Sequence, residues 1–159
     1  YTLADVINAG CRDGELDVRG ISHRGYFASI TNFRSYHDAN MDLIDYKTAT
    51  DLFHDNWPIY TRTNNSCPTH YFDTANVSNS VISNGSMIEG TVENSIIGRG
   101  CTIKKGAVVK NCVVLADCTI GANVHIENLV VDKHAKITHA KEIIAPAEEP
   151  GYIKRNDTL

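Results

Sequence analysis

The chain carries Val92-Glu93-Asn94-Ser95-Ile96-Ile97-Gly98-Arg99-Gly100-Cys101-Thr102-Ile103 and, seventeen residues on, Val109-Lys110-Asn111-Cys112-Val113-Val114-Leu115-Ala116-Asp117-Cys118-Thr119-Ile120. The two stretches superimpose, Ile97 on Val114, Cys101 on Cys118 and Ile103 on Ile120. The same shift lays Val109–Val113 on Ile126-Glu127-Asn128-Leu129-Val130, and an earlier copy, Val77-Ser78-Asn79-Ser80-Val81, precedes them all. Within this long period an aliphatic residue returns at Val77, Ile82, Ile88, Val92, Ile97, Ile103, Val109, Val114, Ile120, Ile126, Val131 and Ile137, mostly five or six residues apart. A helix requires steps of three and four, and a half-buried strand steps of two. A near-hexad period belongs to parallel β-helices, in which each hexad supplies one short strand and one corner. Three such sides close a triangular coil, and the next coil stacks about 4.8 Å above it. The pattern predicts about four coils over residues 75–143. A sandwich of short strands gives no reason for register at seventeen.

The corners agree. Gly106 and Asn123 share one column, Gly100 and Asp117 a second, Asn111 and Asn128 a third. Gly, Asn and Asp tolerate the left-handed backbone that sharp corners need. The stacked Asn79, Asn94, Asn111 and Asn128 are expected to form an amide ladder from coil to coil.

The rest of the chain is less regular. Residues 1–45 read as a small α/β segment. A helix over 2–9 is capped by Thr2 and Asp5 and ended by Gly10. Strands are expected at Glu15–Arg19 and Tyr26–Ile30. Thr31 or Asn32 then caps a second helix with Phe33, Tyr36, Ala39, Leu43 and Ile44 facing inward. So short a segment can hardly bury a core alone, so it must pack on the coil, on another chain or on a missing domain. Residues 46–74 read as a linker anchored at Trp57-Pro58-Ile59-Tyr60, and 144–159 as a tail with one short strand at Tyr152-Ile153.

Composition excludes several function classes. The 159 residues are 42% hydrophobic and 21% charged, as expected of a globular chain. A net charge of −4 argues against nucleic acid or an anionic membrane as main partner. No apolar run approaches the ~20 residues of a spanning helix, and no signal-peptide pattern opens the chain, so a cytoplasmic location is expected. Tyr1 in place of Met suggests a processed or truncated chain. The five cysteines form no CxxC pair, and Cys101 and Cys118, stacked in parallel, are expected to be packed thiols suited to a reducing compartment. Arg99, Lys104, Lys105 and Lys110 form a basic group, with Lys133 two coils above Arg99. A solvated rim is the ordinary account of such a group.

Gly25-Tyr26-Phe27-Ala28-Ser29-Ile30-Thr31-Asn32, followed by Ser35-Tyr36-His37-Asp38-Ala39-Asn40-Met41-Asp42-Leu43, resembles a signature of bacterial glucose-1-phosphate adenylyltransferases (ADP-glucose pyrophosphorylases), G-Y-W-x-D-[VI]-G-T and S-Y-x-x-A-N-x-D-L. In that family the signature closes a nucleotidyltransferase domain just before a left-handed β-helix. The coil segments at Val77, Val92 and Gly106 and Val130-Val131-Asp132-Lys133 resemble the same family, so the likeness runs from Gly25 to Ile137. It implies a left-handed parallel β-helix, an exception to the right-handed crossover rule, behind the remnant of a nucleotidyltransferase domain. The departures matter equally. Ser29 stands where the family has the Asp that helps to hold Mg²⁺, Thr31-Asn32 replaces Gly-Thr, and the glycine-rich loop G-G-x-G-x-R-L is absent. These losses resemble the non-catalytic GlgD-type subunits of the family. The resemblance therefore implies no catalytic residue and no metal site in this chain. It implies a catalytic adenylyltransferase subunit as partner in a homo- or hetero-oligomer, and an anionic effector bound near Arg99, Lys104, Lys105 and Lys133.

Two other resemblances are weaker. Hexapeptide acyltransferases use a coil-edge His as general base, for which His125 and His134 are the candidates. His134 and His139 have the H-x4-H spacing of two zinc ligands in γ-class carbonic anhydrases, but no third His is placed to complete the set.

Overall fold

The inward aliphatics and the corner residues fold as their spacing predicts. A computed structural model describes all of residues 1–159, with fifteen strands of two or three residues running three to a coil. The first coil holds β1 (His70–Tyr71), β2 (Asn76–Ser78) and β3 (Val81–Ile82), and the second β4 (Met87–Ile88), β5 (Thr91–Glu93) and β6 (Ile96–Ile97). The third holds β7 (Thr102–Ile103), β8 (Val108–Lys110) and β9 (Val113–Val114), and the fourth β10 (Thr119–Ile120), β11 (His125–Glu127) and β12 (Leu129–Val131). The last holds β13 (Lys136–Ile137), β14 (Glu142–Ile144) and β15 (Gly151–Ile153). Equivalent strands stack in parallel into three sheets, β1-β4-β7-β10-β13, β2-β5-β8-β11-β14 and β3-β6-β9-β12-β15. Four turns of a parallel β-solenoid thus separate the first and last strand of each sheet.

Ile88, Ile103, Ile120 and Ile137 lie over one another, as do Val92, Val109 and Ile126, and Ile97, Val114 and Val131. Every one of these side chains is fully buried. Each contributes about 1.5–3 kcal/mol of burial free energy, and together they are the core.

The corners use the left-handed backbone. Asn79, Asn94, Asn111 and Asn128 have φ of 42°, 45°, 49° and 57°. Asn79 Nδ2 donates to Asn94 Oδ1 at 2.8 Å, and Asn94 Nδ2 to Asn111 Oδ1 at 2.6 Å. Asn128 Nδ2 instead donates to the Ala145 carbonyl at 2.8 Å. The amide ladder therefore spans three coils and then hands over to backbone. Asn94→Ala removes the middle amide and leaves a Cβ-bearing residue without its local compensation at positive φ. It is expected to cost about 2–3 kcal/mol, read as a lower thermal midpoint, with Asn94→Gly recovering the backbone share.

The sheet β3-β6-β9-β12-β15 is apolar on its outer face too, through Val81, Ile96, Val113, Val130 and Tyr152. Helix α2 (Phe33–Met41) lies against β9, and Val113 and Val130 are buried. Asn32 caps α2 through the Ser35 N–H, the Phe33 ring meets Tyr152 edge-on at 5.5 Å, and Arg34 donates to the Glu148 carbonyl at 3.2 Å. His37 Nε2 donates to the Asn111 carbonyl at 2.9 Å, tying α2 to the amide corner.

Several expectations are corrected. Glu15–Arg19 and Tyr26–Ile30 are irregular, with Leu16, Val18, Phe27 and Ile30 exposed. Alternation alone does not make a strand when no neighbouring strand accepts its hydrogen bonds. Helix α1 (Leu3–Arg12) has the Thr2–Asp5 capping box but runs past Gly10, and it buries no side chain. After α2 comes a 3-10 turn, Asp42–Ile44, and then α3 (Tyr46–Leu52) inside the stretch expected to be a linker. The Asp45 carboxylate caps α3 by accepting from the Thr48 N–H and hydroxyl. Trp57 and Tyr60 are 83% and 91% exposed, so they anchor nothing. The solenoid also exceeds the expected 75–143. It begins with β1, and β14, β15 and a bridge from Lys136 to Thr158 make the expected tail its last coil.

Candidate anion-binding cleft

One corner column rises through Gly85, Gly100, Asp117, His134 and Asn156, all at positive φ. Residues 61–66, the strap that leads into β1, lie along it. Arg99 Nη1 donates to the Arg62 carbonyl at 2.5 Å and Nη2 to Thr61 Oγ1 at 3.4 Å. Asn84 Nδ2 donates to Ser66 Oγ at 2.7 Å. Gly85 makes the seating possible, since a Cβ there would stand 2.8 Å from Ser66 Cβ.

Between the strap and the upper corners is a cavity of about 460 Å³, lined by Arg62, Thr63 and Asn64 on one side and Arg99, Ala116, Asp117, Lys133, His134 and Arg155 on the other. Asp117 is its one carboxylate and lies 3.7 Å from His134 Nδ1. The side chains of Arg62, Lys133 and Arg155 form no ion pair within 4.0 Å, but the Asp132 carboxylate beside the cleft accepts from the Lys133 N–H at 2.7 Å and feels the charges of Arg155 and Lys133. A polar cavity with four cations around one carboxylate suits an oxyanion, which accepts several charge-assisted hydrogen bonds at once.

Residues 68–149, just over half of the chain, match the family described as GlmU-like, C-terminal hexapeptide. The chain belongs to this hexapeptide family. Within it, the chain is homologous to curated proteins of longer span. It is 34% identical over 140 residues to the glycogen biosynthesis protein GlgD of Bacillus subtilis (strain 168), covering 88% of this chain and 41% of that protein. It is 36% identical over 107 residues to a glucose-1-phosphate adenylyltransferase of Bacillus mycoides (strain KBAB4), covering 67% and 28%. With the Geobacillus stearothermophilus adenylyltransferase it shares 42% over 86 residues, 54% and 22% of the two chains. The chain thus spans less than half the length of these relatives.

The hexapeptide scaffold splits the basic group expected from the sequence. Arg99 and Lys133 meet at the cleft, but Lys104 and Lys105 belong to the corner after β7. There Lys104 Nζ is 3.9 Å from Glu89 Oε1, and the Lys105 N–H donates to Glu89 Oε2 at 3.2 Å. Arg99 is itself engaged by the strap. Arg62 comes from the strap and Arg155 from the last coil, where an insertion breaks the period of seventeen, so counting along the repeat does not reach either.

The other candidates fall apart in the same way. His125 lies between Glu127 at 3.4 Å and Glu142 at 3.5 Å. His134 occupies the cleft corner, while His139 follows the opposite end of β13, so H-x4-H does not converge. Ser29 is exposed in irregular chain and offers one neutral oxygen, which does not fit a divalent ion. All five thiols are free. Cys101 is held above its ordinary range by its hydrogen bond with Cys118 and by burial, and burial pushes Cys112 up to about 12. Cys101 and Cys112 are packing thiols rather than nucleophiles.

Beside the cleft, Tyr152 Oη donates to Asp132 Oδ2 at 2.7 Å. This bond holds the Asp132 carboxyl below its ordinary value and raises the Tyr152 phenol above its own. The Asp132 contribution is present above the unfolded carboxylate value and is lost as pH falls through the lowered one. The Tyr152 contribution is present below the unfolded phenol value and is lost as pH rises through the raised one. The α2 dock on Tyr152 is therefore expected to hold between about pH 4 and pH 10. Tyr152→Phe should move the Asp132 titration up towards its ordinary value without reaching it, because the Lys133 N–H bond and the Arg155 and Lys133 charges still lower it; carboxyl NMR follows the change.

Proposed function

We propose that this chain is the solenoid part of a GlgD-like subunit acting in ADP-glucose supply for glycogen biosynthesis in the cytoplasm. In this role it joins subunits and responds to an anionic effector, and the nucleotidyl transfer is performed by a catalytic glucose-1-phosphate adenylyltransferase partner in a homo- or hetero-oligomer. One observation carries the reading: the likeness to GlgD spans 140 residues, too many to lie within the solenoid alone. Ser29 in place of a metal-binding carboxylate supports the absence of catalysis. The cleft supports the response to anions, with Lys133 and Arg155, neither held in a close side-chain ion pair, on the solenoid and Arg62 as a third cation from the strap.

The test is to mix the chain with a catalytic adenylyltransferase subunit and measure ADP-glucose synthesis with and without sulfate or a sugar phosphate. The chain should shift the rate, and alone it should synthesise nothing. Lys133→Glu and Arg155→Glu should each weaken the anion response about tenfold, the equivalent of about 1.4 kcal/mol per charge-assisted contact. A rate indifferent to the chain, or acetyl-CoA turnover by the chain alone, would overturn the proposal.

A further inference from the structure

The strap is held more loosely than the solenoid it crosses. No backbone N–H from Ile59 to Cys67 donates a hydrogen bond within the chain. Its attachments at the corner are the two Arg99 bonds and the Asn84–Ser66 bond. It also carries a cation, Arg62, into a cavity already lined by Arg99, Lys133 and Arg155. Like charges in one cavity push apart, and the two carboxylates, Asp117 within the cavity and Asp132 beside it, offset only part of the four cations. The strap is therefore both tethered and repelled.

From this balance we infer that a divalent oxyanion in the cleft acts as a clasp. It bridges Arg62 on the strap to Lys133 and Arg155 on the solenoid, turning the repulsion into attraction. Because the strap joins α3 to β1, the clasp also fixes the α3 end of the N-terminal half against the solenoid. Arg99 is a positioning residue here: its guanidinium grips the strap backbone and presents Arg62. This inference rests on the anion reading of the cleft and adds the route by which anion binding is transmitted. The coupling is reciprocal, so a loosened strap weakens anion binding by the same factor.

Limited chymotryptic digestion of the 159-residue chain tests it, comparing sulfate with chloride at equal ionic strength. At sulfate ten times above its dissociation constant, cleavage after Tyr60 should slow about tenfold, with cleavage after Phe27, outside the strap, unchanged. Arg62→Gln should retain weaker sulfate binding and lose the slowing. Arg99→Gln should speed cleavage after Tyr60 even without sulfate. If sulfate shifts the Lys133 and Arg155 resonances while strap cleavage stays the same, the clasp is wrong and the anion site stands. If sulfate does not bind at all, both fall together.

Discussion

Ile120→Ala is expected to destabilise the chain by about 3–4 kcal/mol, and Thr119→Ala, one residue away, by less than about 0.5 kcal/mol. Ile120 lies inside its column, between Ile103 below and Ile137 above, and is fully buried. Truncating it removes three carbons from a prism closed on three sides by sheet. The backbone cannot collapse into that gap without breaking ladder bonds to both neighbouring coils, so the cavity persists. Thr119 pairs in the same strands but points outward and is partly exposed. Urea unfolding followed by far-ultraviolet circular dichroism reads both variants, and an unchanged m-value would show the loss to be one of stability. A solenoid whose coils contact only their neighbours also loses cooperativity when a middle coil is weakened. Ile120→Ala should therefore broaden the transition more than the same change at Ile137, which is equally buried but lies in the last coil. Equal losses at positions 119 and 120 would mean that the inward and outward faces had been exchanged.

The solenoid was legible because two constraints repeat in every coil. An aliphatic must fill the interior and a corner must turn, so the same residue types return in register and the eye can average over copies. Where only one copy exists, the pattern fails. The inward position of β1 is Tyr71 rather than an aliphatic, and the last coil carries an insertion with Pro146 and Pro150 between β14 and β15. Ile126 to Ile143 keeps the period of seventeen, but Val131 to Ile153 does not. The N-terminal strands failed differently, since alternation at Leu16 and Val18 describes a strand only if a sheet is present to receive it. The outer aliphatic of the Asn motif, Val113 or Val130, was visible but ambiguous, because the sequence does not say that α2 covers it. The cleft was half legible: Arg99 and Lys133 lie in the repeat and can be stacked by counting, whereas Arg62 and Arg155 reach it through the strap and the last coil. Counting along the chain also merged Lys104 and Lys105 with Arg99, although β7 carries them to another corner.

Gly90→Ala is expected to cost about 3 kcal/mol or more, although the glycine has no positive φ and only a methyl group is added. The cause is an irregularity in the repeat. From Ile103 to Val109 and from Ile120 to Ile126 the chain takes six residues to turn the corner, but from Ile88 to Val92 it takes four. The second coil thus cuts its corner short and passes directly beneath the longer turn of the third. A Cβ at Gly90 would stand 2.6 Å from the Ala107 carbonyl oxygen and 2.8 Å from that of Lys104. Both are backbone atoms that cannot swing aside as a side chain would. Relief requires the coils to part, which strains the bonds from Thr91 N–H to Ala107 and from Glu89 N–H to Ile103, each 2.8 Å. Gly20→Ala is the control, since nothing lies within 4 Å of its Cβ and its φ is ordinary. That change should be neutral or stabilise by up to about 0.5 kcal/mol through the unfolded chain. Thermal unfolding of the two variants in parallel distinguishes them. Equal midpoints would mean that the third coil does not overhang the second at this corner, and the stacking derived for the whole prism would have to be redrawn from there upward.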